Sequence, residues 1–75
     1  MKVTNIGKEA AQAKEATEWW KTATPLEIVH FQLFEECLCM PMDDFRGALE
    51  EVLGEPLWDS AFMHPDSLRK RVLSL

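Results

Sequence analysis

Apolar residues recur at helical spacing along this chain, and no stretch alternates convincingly as a half-buried strand would. Residues 24–39, TPLEIVHFQLFEECLC, form the most hydrophobic segment. At about 100° per residue, Leu26, Val29, Leu33 and Cys37 make one stripe, and Phe31, Phe34 and Leu38 make a second arc beside it. His30 lies between the two arcs, and Gln32, Glu35 and Glu36 fall on the remaining side. Thr24 can accept from first-turn amides, Pro25 suits the first helical position, and Glu27 sits at the capping-box position. Pro41 is the stop, because the residue before a proline is steered away from helical angles. The pattern predicts a central helix over residues 24–39, apolar around more than half its circumference and covered by more than one neighbour.

The other elements follow from the same reading. Residues 1–7 read as a flexible lead or a short extended arm. Residues 8–21 are Ala-rich and free of Gly and Pro, which favours a first helix. Its stripe of Ile6, Ala10, Ala13, Thr17 and Trp20 is narrow, and adjacent Trp19 and Trp20 point about 100° apart, so one enters the core while the other lies at its rim. Asp43 and Asp44 suit the positive start of a third helix over residues 42–53, with Phe45, Ala48, Leu49, Val52 and Leu53 inward and Arg46, Glu50 and Glu51 outward. Gly54 and Pro56 end it. Residues 57–63 form an irregular turn laying Leu57, Trp58 and Phe62 over the core. Pro65 opens a short last helix over residues 65–73, with Leu68, Val72 and Leu75 inward. The expected architecture is all-α: one small bundle of three main helices plus a short C-terminal helix.

Composition narrows the function. Seventy-five residues make one domain, and the apolar share of 47% supports a core. A net charge of −5 and a pI near 4.9 disfavour nucleic-acid binding and fit a protein partner with a basic face, or a mimic of nucleic acid. Two cysteines placed two apart on one helix point roughly 200° apart and cannot bridge, which predicts free thiols and a cytoplasmic setting. Residues 1–21 carry no signal-like apolar run, and no stretch reaches the ~18 apolar residues of a membrane span.

Candidate chemistry is sparse. Cys37, Cys39, Met40 and Met42 are soft Cu(I)-type ligands, but a helix splays the thiols; Cys37 and Met40 read as core filler, and residues 40–42 as a tight connection. His30, between the two apolar arcs, reads as a core histidine, and His64 as a loop residue. Asp43-Asp44 and Glu50-Glu51 read as helix-start charge and a solvated face, and Ser60 and Ser67 as turn or cap residues. No cofactor, metal or enzymatic activity is expected. The partner-binding candidates are Trp19, Trp20, Glu35, Glu36, Glu50, Glu51 and Trp58, combining acidic faces with an exposed tryptophan. The only basic cluster is Arg69, Lys70 and Arg71. A helix-turn-helix over residues 31–53 would place Asp43, Asp44, Glu50 and Glu51 against a phosphate backbone, which repels it.

The run LEEVLGEPLWDSAF, residues 49–62, resembles a family of short uncharacterised phage and prophage proteins. In that family a helix ends in a Leu-Gly-x-Pro turn, followed by an aromatic and then a polar-acidic and aromatic motif. Leu53, Gly54, Pro56, Trp58 and Phe62 carry the match, and the helix pair over residues 30–53 is similar in length and apolar spacing. Asp59-Ser60-Ala61 stand where the family has a His-Glu pair, so no role of that pair carries over. The resemblance implies a small helical domain and phage association, with no activity attached.

The expected function is therefore that of a non-enzymatic phage- or prophage-type accessory protein that binds another protein, with no membrane contact. Two alternatives stand beside it: an acidic inhibitor or nucleic-acid mimic directed at a host enzyme, and a nucleic-acid-associated regulator using Arg69, Lys70 and Arg71. The thin alanine stripe of the first helix leaves a homodimer open as well.

Overall fold

The computed structural model describes residues 3–75. Its helices are α1 (Lys8–Ala16), α2 (Pro25–Gln32), α3 (Met42–Leu53) and α4 (Pro65–Leu73), with 3₁₀ turns at Trp19–Lys21 and Asp59–Met63. The fold is a small all-α bundle. Among the described residues the one β-type feature is an isolated parallel bridge between Thr4 and Glu35.

Helix α2 begins as its sequence dictates. The Thr24 hydroxyl accepts the Glu27 amide at 3.2 Å, and the Glu27 carboxylate accepts the Thr24 amide at 3.0 Å. The Thr24 amide first, and the Thr24 hydroxyl after it, hold the Glu27 carboxyl below its ordinary range. Its end departs from expectation. The predicted helix over residues 24–39 stops at Gln32, well short of Cys39. In a continued helix the Leu33 carbonyl would accept the Cys37 amide. Here it accepts Nε of Arg69 from α4 at 2.6 Å, while the Cys37 amide donates to the Glu35 carboxylate at 2.8 Å. The Gln32 side chain takes the Cys39 amide at 2.7 Å and donates to the Cys37 carbonyl at 2.9 Å. Three side chains thus supply the partners that the next helical turns would have used.

The same competition changes which residues are inside. Gln32 and Glu35, expected on the polar face, are 4% exposed, and Arg69 is 9% exposed. Leu26 and His30, assigned to the apolar arcs, lie in solvent, and Ile28 joins Val29 and Leu33 in the core. Leu38 is exposed because its segment has left the helix.

The first helix is also shorter than residues 8–21. It ends at Ala16, the Thr17 hydroxyl bonds back to the Lys14 carbonyl at 2.6 Å, and Glu18 takes a left-handed φ of 54°. In the resulting 3₁₀ turn both tryptophans pack against the core. Ala11, not the stripe of Ala10 and Ala13, is the buried alanine of α1.

The lead is not loose over its described part. The Thr4 amide donates to the Phe34 carbonyl at 2.8 Å, and the Glu36 amide donates to the Thr4 carbonyl at 2.8 Å. Met1 and Lys2, also expected to be flexible, lie outside the described residues.

Helices α2 and α3 form the principal helix pair. Phe45, Ala48 and Leu49 are the buried face of α3. Gly54 ends it at φ 74°, a left-handed value that glycine adopts without steric cost. Leu57 is buried, but Trp58, expected over the core, is 78% exposed. In α4, Leu68 and Val72 face inward, whereas Leu75 lies in solvent.

Arg69→Met keeps the aliphatic stem but leaves the buried Leu33 carbonyl without its donor. It is expected to lower unfolding stability by about 1–3 kcal/mol in urea titration, whereas Lys70→Met stays within about 0.5 kcal/mol.

Candidate functional site

The structure separates the residues that sequence reasoning grouped as one docking face. Glu35 is the hub of the N-terminal arm. It accepts the Thr4 hydroxyl at 2.6 Å, the Ile6 amide at 3.3 Å and the Cys37 amide at 2.8 Å. Burial pushes its carboxyl upward, but the bonds from Thr4, Cys37 and Ile6 outweigh that and hold it below its ordinary value of 4.5. Glu50 is half-buried and accepts the Leu57 amide at 2.6 Å, which secures the turn after α3. Both acidic side chains are therefore internal ligands of the fold rather than parts of an acidic surface. Glu36, which accepts from Asn5 at 2.9 Å, and Glu51 remain exposed.

The tryptophans divide in the same way. Trp19 donates its indole N–H to the Cys39 carbonyl at 2.9 Å. Its ring stands edge-on to Phe31 at 4.9 Å, and the Lys14 ammonium lies 5.2 Å from its centroid. Trp20 packs against the core. Trp58 alone is presented to solvent.

The basic cluster does not form one surface. Arg69 is spent on the Leu33 carbonyl and on Asp66 at 2.9 Å, and Arg71 pairs with Glu55. Lys70 is exposed and in no ion pair among the described residues.

Cys37 and Cys39 lie beyond α2 rather than on a helix, and both are free thiols. Cys37 donates to the Asn5 side-chain oxygen at 3.1 Å, and Cys39 to the Cys37 carbonyl at 3.3 Å. Burial pushes the Cys39 thiol above its ordinary range. Met40 is fully buried beside it in sequence, and Met42 reaches the surface. Among the described residues no three His, Cys, Asp or Glu side chains cluster as a metal site.

Among the concave features that combine apolar and polar groups, one is bordered by exposed large apolar side chains. A groove of about 350 Å³ runs between the segment after α2, the start of α3, the second 3₁₀ turn and α4. Leu33, Phe45 and Leu68 belong to the buried core and form its floor, and Phe62 and Pro65 form one wall. Leu38 and Met42, 46% and 37% exposed, form its rim. Gln32, Glu35, Glu36 and Arg69 close the polar end. Arg46 anchors the second 3₁₀ turn, pairing with Asp59 and stacking 5.3 Å from the Phe62 centroid. Sequence periodicity missed this site because it placed Leu38 inside a helix and read Met42 only as a connector. The one local hint was a methionine directly after Pro41, at the first position of α3.

Fold and site define a small all-α domain with an open apolar groove and no helix, among the described residues, long and apolar enough to cross a membrane. The chain belongs to the family described as a domain of unknown function (DUF7736), whose pattern matches residues 25–73. That match covers α2 to α4 and the whole groove, and leaves the arm and α1 outside it. No curated protein and no solved structure matches the chain.

Because the folded-state Glu35 carboxyl is depressed, its hold on the arm is complete above its ordinary value of 4.5 and fades as pH falls through the lower folded value. The Ile6 amide resonance is expected to titrate with one transition below pH 4.5, and Glu35→Gln should abolish that transition in a pH-dependent NMR series.

Proposed function

We propose that this chain is a small, non-enzymatic accessory protein of the phage or prophage type that acts by binding another protein. The observation that carries the reading is the open groove between Leu38, Met42 and Phe62, with large side chains left in water on a domain this small. Trp58 and Met63 add exposed apolar surface on the segment that supplies Phe62. Tryptophan is among the residues from which protein interfaces draw most of their affinity, and methionine is enriched in them. The resemblance of residues 49–62 to short phage proteins supports the accessory role. The docking surface therefore moves from the acidic faces to the groove and to Trp58.

A second reading has its own observation. Asp43, Asp44 and Glu51 line one shallow face together with Lys21. Such a face suits an acidic inhibitor that imitates nucleic acid before a basic host enzyme.

Tagged protein used as bait in a lysate of the source cells separates the two. The binding reading expects a stoichiometric partner that is lost with Leu38→Asp or Trp58→Ala and kept with Glu51→Lys. Both lost-binding positions are exposed, so unfolding stability should change by only about 0.5 kcal/mol. A partner lost with Glu51→Lys and kept with Leu38→Asp would replace this reading with the acidic mimic.

A further inference from the structure

We infer that the groove takes an amphipathic helix of a partner protein, with large aliphatic side chains on its inserted face and lysine or arginine along its flank. The inference rests on the binding reading above and adds the partner's chemistry.

Three observations fix that occupant. The first is the wall material. The rim is Leu38 and Met42 and the floor includes Phe45 and Leu68, all of them large apolar residues. Leucine and methionine adapt to an incoming apolar side chain, and at about 350 Å³ the groove sits near the small end of ligand pockets, which run to about 1,000 Å³. That size suits anchor side chains from a helix rather than a whole cofactor.

The second is the state of the neighbouring backbone. Residues 34–36 carry the one β-type pairing among the described residues, and the N-terminal arm already fills it. The Phe34 carbonyl accepts from Thr4, and the Glu36 amide donates to Thr4. An extended peptide would find no free ladder there, whereas a helix brings its main-chain hydrogen bonds already made.

The third is charge. Arg69 is the cation lining the groove, and it is engaged by the Leu33 carbonyl and Asp66. Glu35 is consumed by the arm. Glu36 stays exposed on the groove lining, while Asp43 and Asp44 belong with Glu51 to the neighbouring shallow face. The accessible charge around the groove is therefore negative, on a chain of net charge −5. A basic flank is attracted and an acidic one repelled.

The test uses two labelled synthetic helices of equal length, with leucine at i, i+3, i+4 and i+7. One carries lysine and the other glutamate at the flanking positions, and fluorescence anisotropy is read at physiological salt. The lysine peptide should bind, and the glutamate peptide should bind at least about tenfold more weakly. Leu38→Arg should weaken the lysine peptide by at least about tenfold, while Glu51→Lys, a larger charge change away from the groove, should alter it by less than about threefold. Equal loss with Glu51→Lys would reduce the binding to bulk charge attraction and overturn the inference. Tighter binding of the glutamate peptide, still lost with Leu38→Arg, would overturn the basic partner and leave the docking groove standing. Lysine-peptide binding indifferent to Leu38→Arg, or absent altogether, would remove the groove as a helix site. A sedimentation mass of two chains that Leu38→Arg returns to one would assign the groove to a second copy instead.

Discussion

Everything distinctive in this fold depends on where α2 stops. The Arg69 guanidinium reaches from α4 to the Leu33 carbonyl, and Gln32 and Glu35 capture the amides of Cys39 and Cys37. Each of these side chains is buried, and a buried polar group without a partner costs on the order of 1–3 kcal/mol. Helical propensity over the same residues is worth only tenths of a kcal/mol per position. The tertiary hydrogen bonds therefore win against a pattern that reads locally as helix. The arrangement is also mutual: Arg69 needs the non-helical Leu33 carbonyl as much as that carbonyl needs Arg69.

Ending α2 early creates both surfaces on which the remaining structure is built. One side of the freed segment receives the N-terminal arm, through the Thr4 pairing and the Glu35 carboxylate. The other side turns Leu38 outward and opens the space between α3 and α4 that Phe62 and Met42 border. Had the helix run to Cys39, Leu38 would have closed onto a neighbour and Glu35 would have faced water. The apolar groove is thus a product of a polar node, and the arm outside the family match braces that node from the opposite side.

Much of the architecture was legible because its signals are local. The Thr24 and Glu27 capping box, the Pro41 break and the Gly54 stop act through backbone geometry within a few residues, and they mark the start of α2 and both ends of α3. The illegible part is long-range. Glu35 looks like a solvated residue until Thr4, thirty-one positions away, donates to it. Arg69 looks like one third of a basic cluster until its partner proves to be a carbonyl thirty-six positions away. Periodicity assigns faces on the premise that the helix continues, so one misplaced end misassigned Leu38, Glu35 and both cysteines together. For the site the consequence was larger still: acidic residues chosen for exposure turned out to be ligands of the fold, and residues chosen as core or connector line the groove.

The central point is that side chains, not helical carbonyls, satisfy the amides of Cys37 and Cys39. Backbone NMR of the uniformly labelled protein addresses it directly, by Cα shifts and amide exchange over residues 33–39. Non-helical Cα shifts from Phe34 to Cys39, together with slow exchange at the Cys37 and Cys39 amides, are the predicted result. Helical shifts running unbroken to Cys39 would contradict it, and the groove and the braced arm would fall with it.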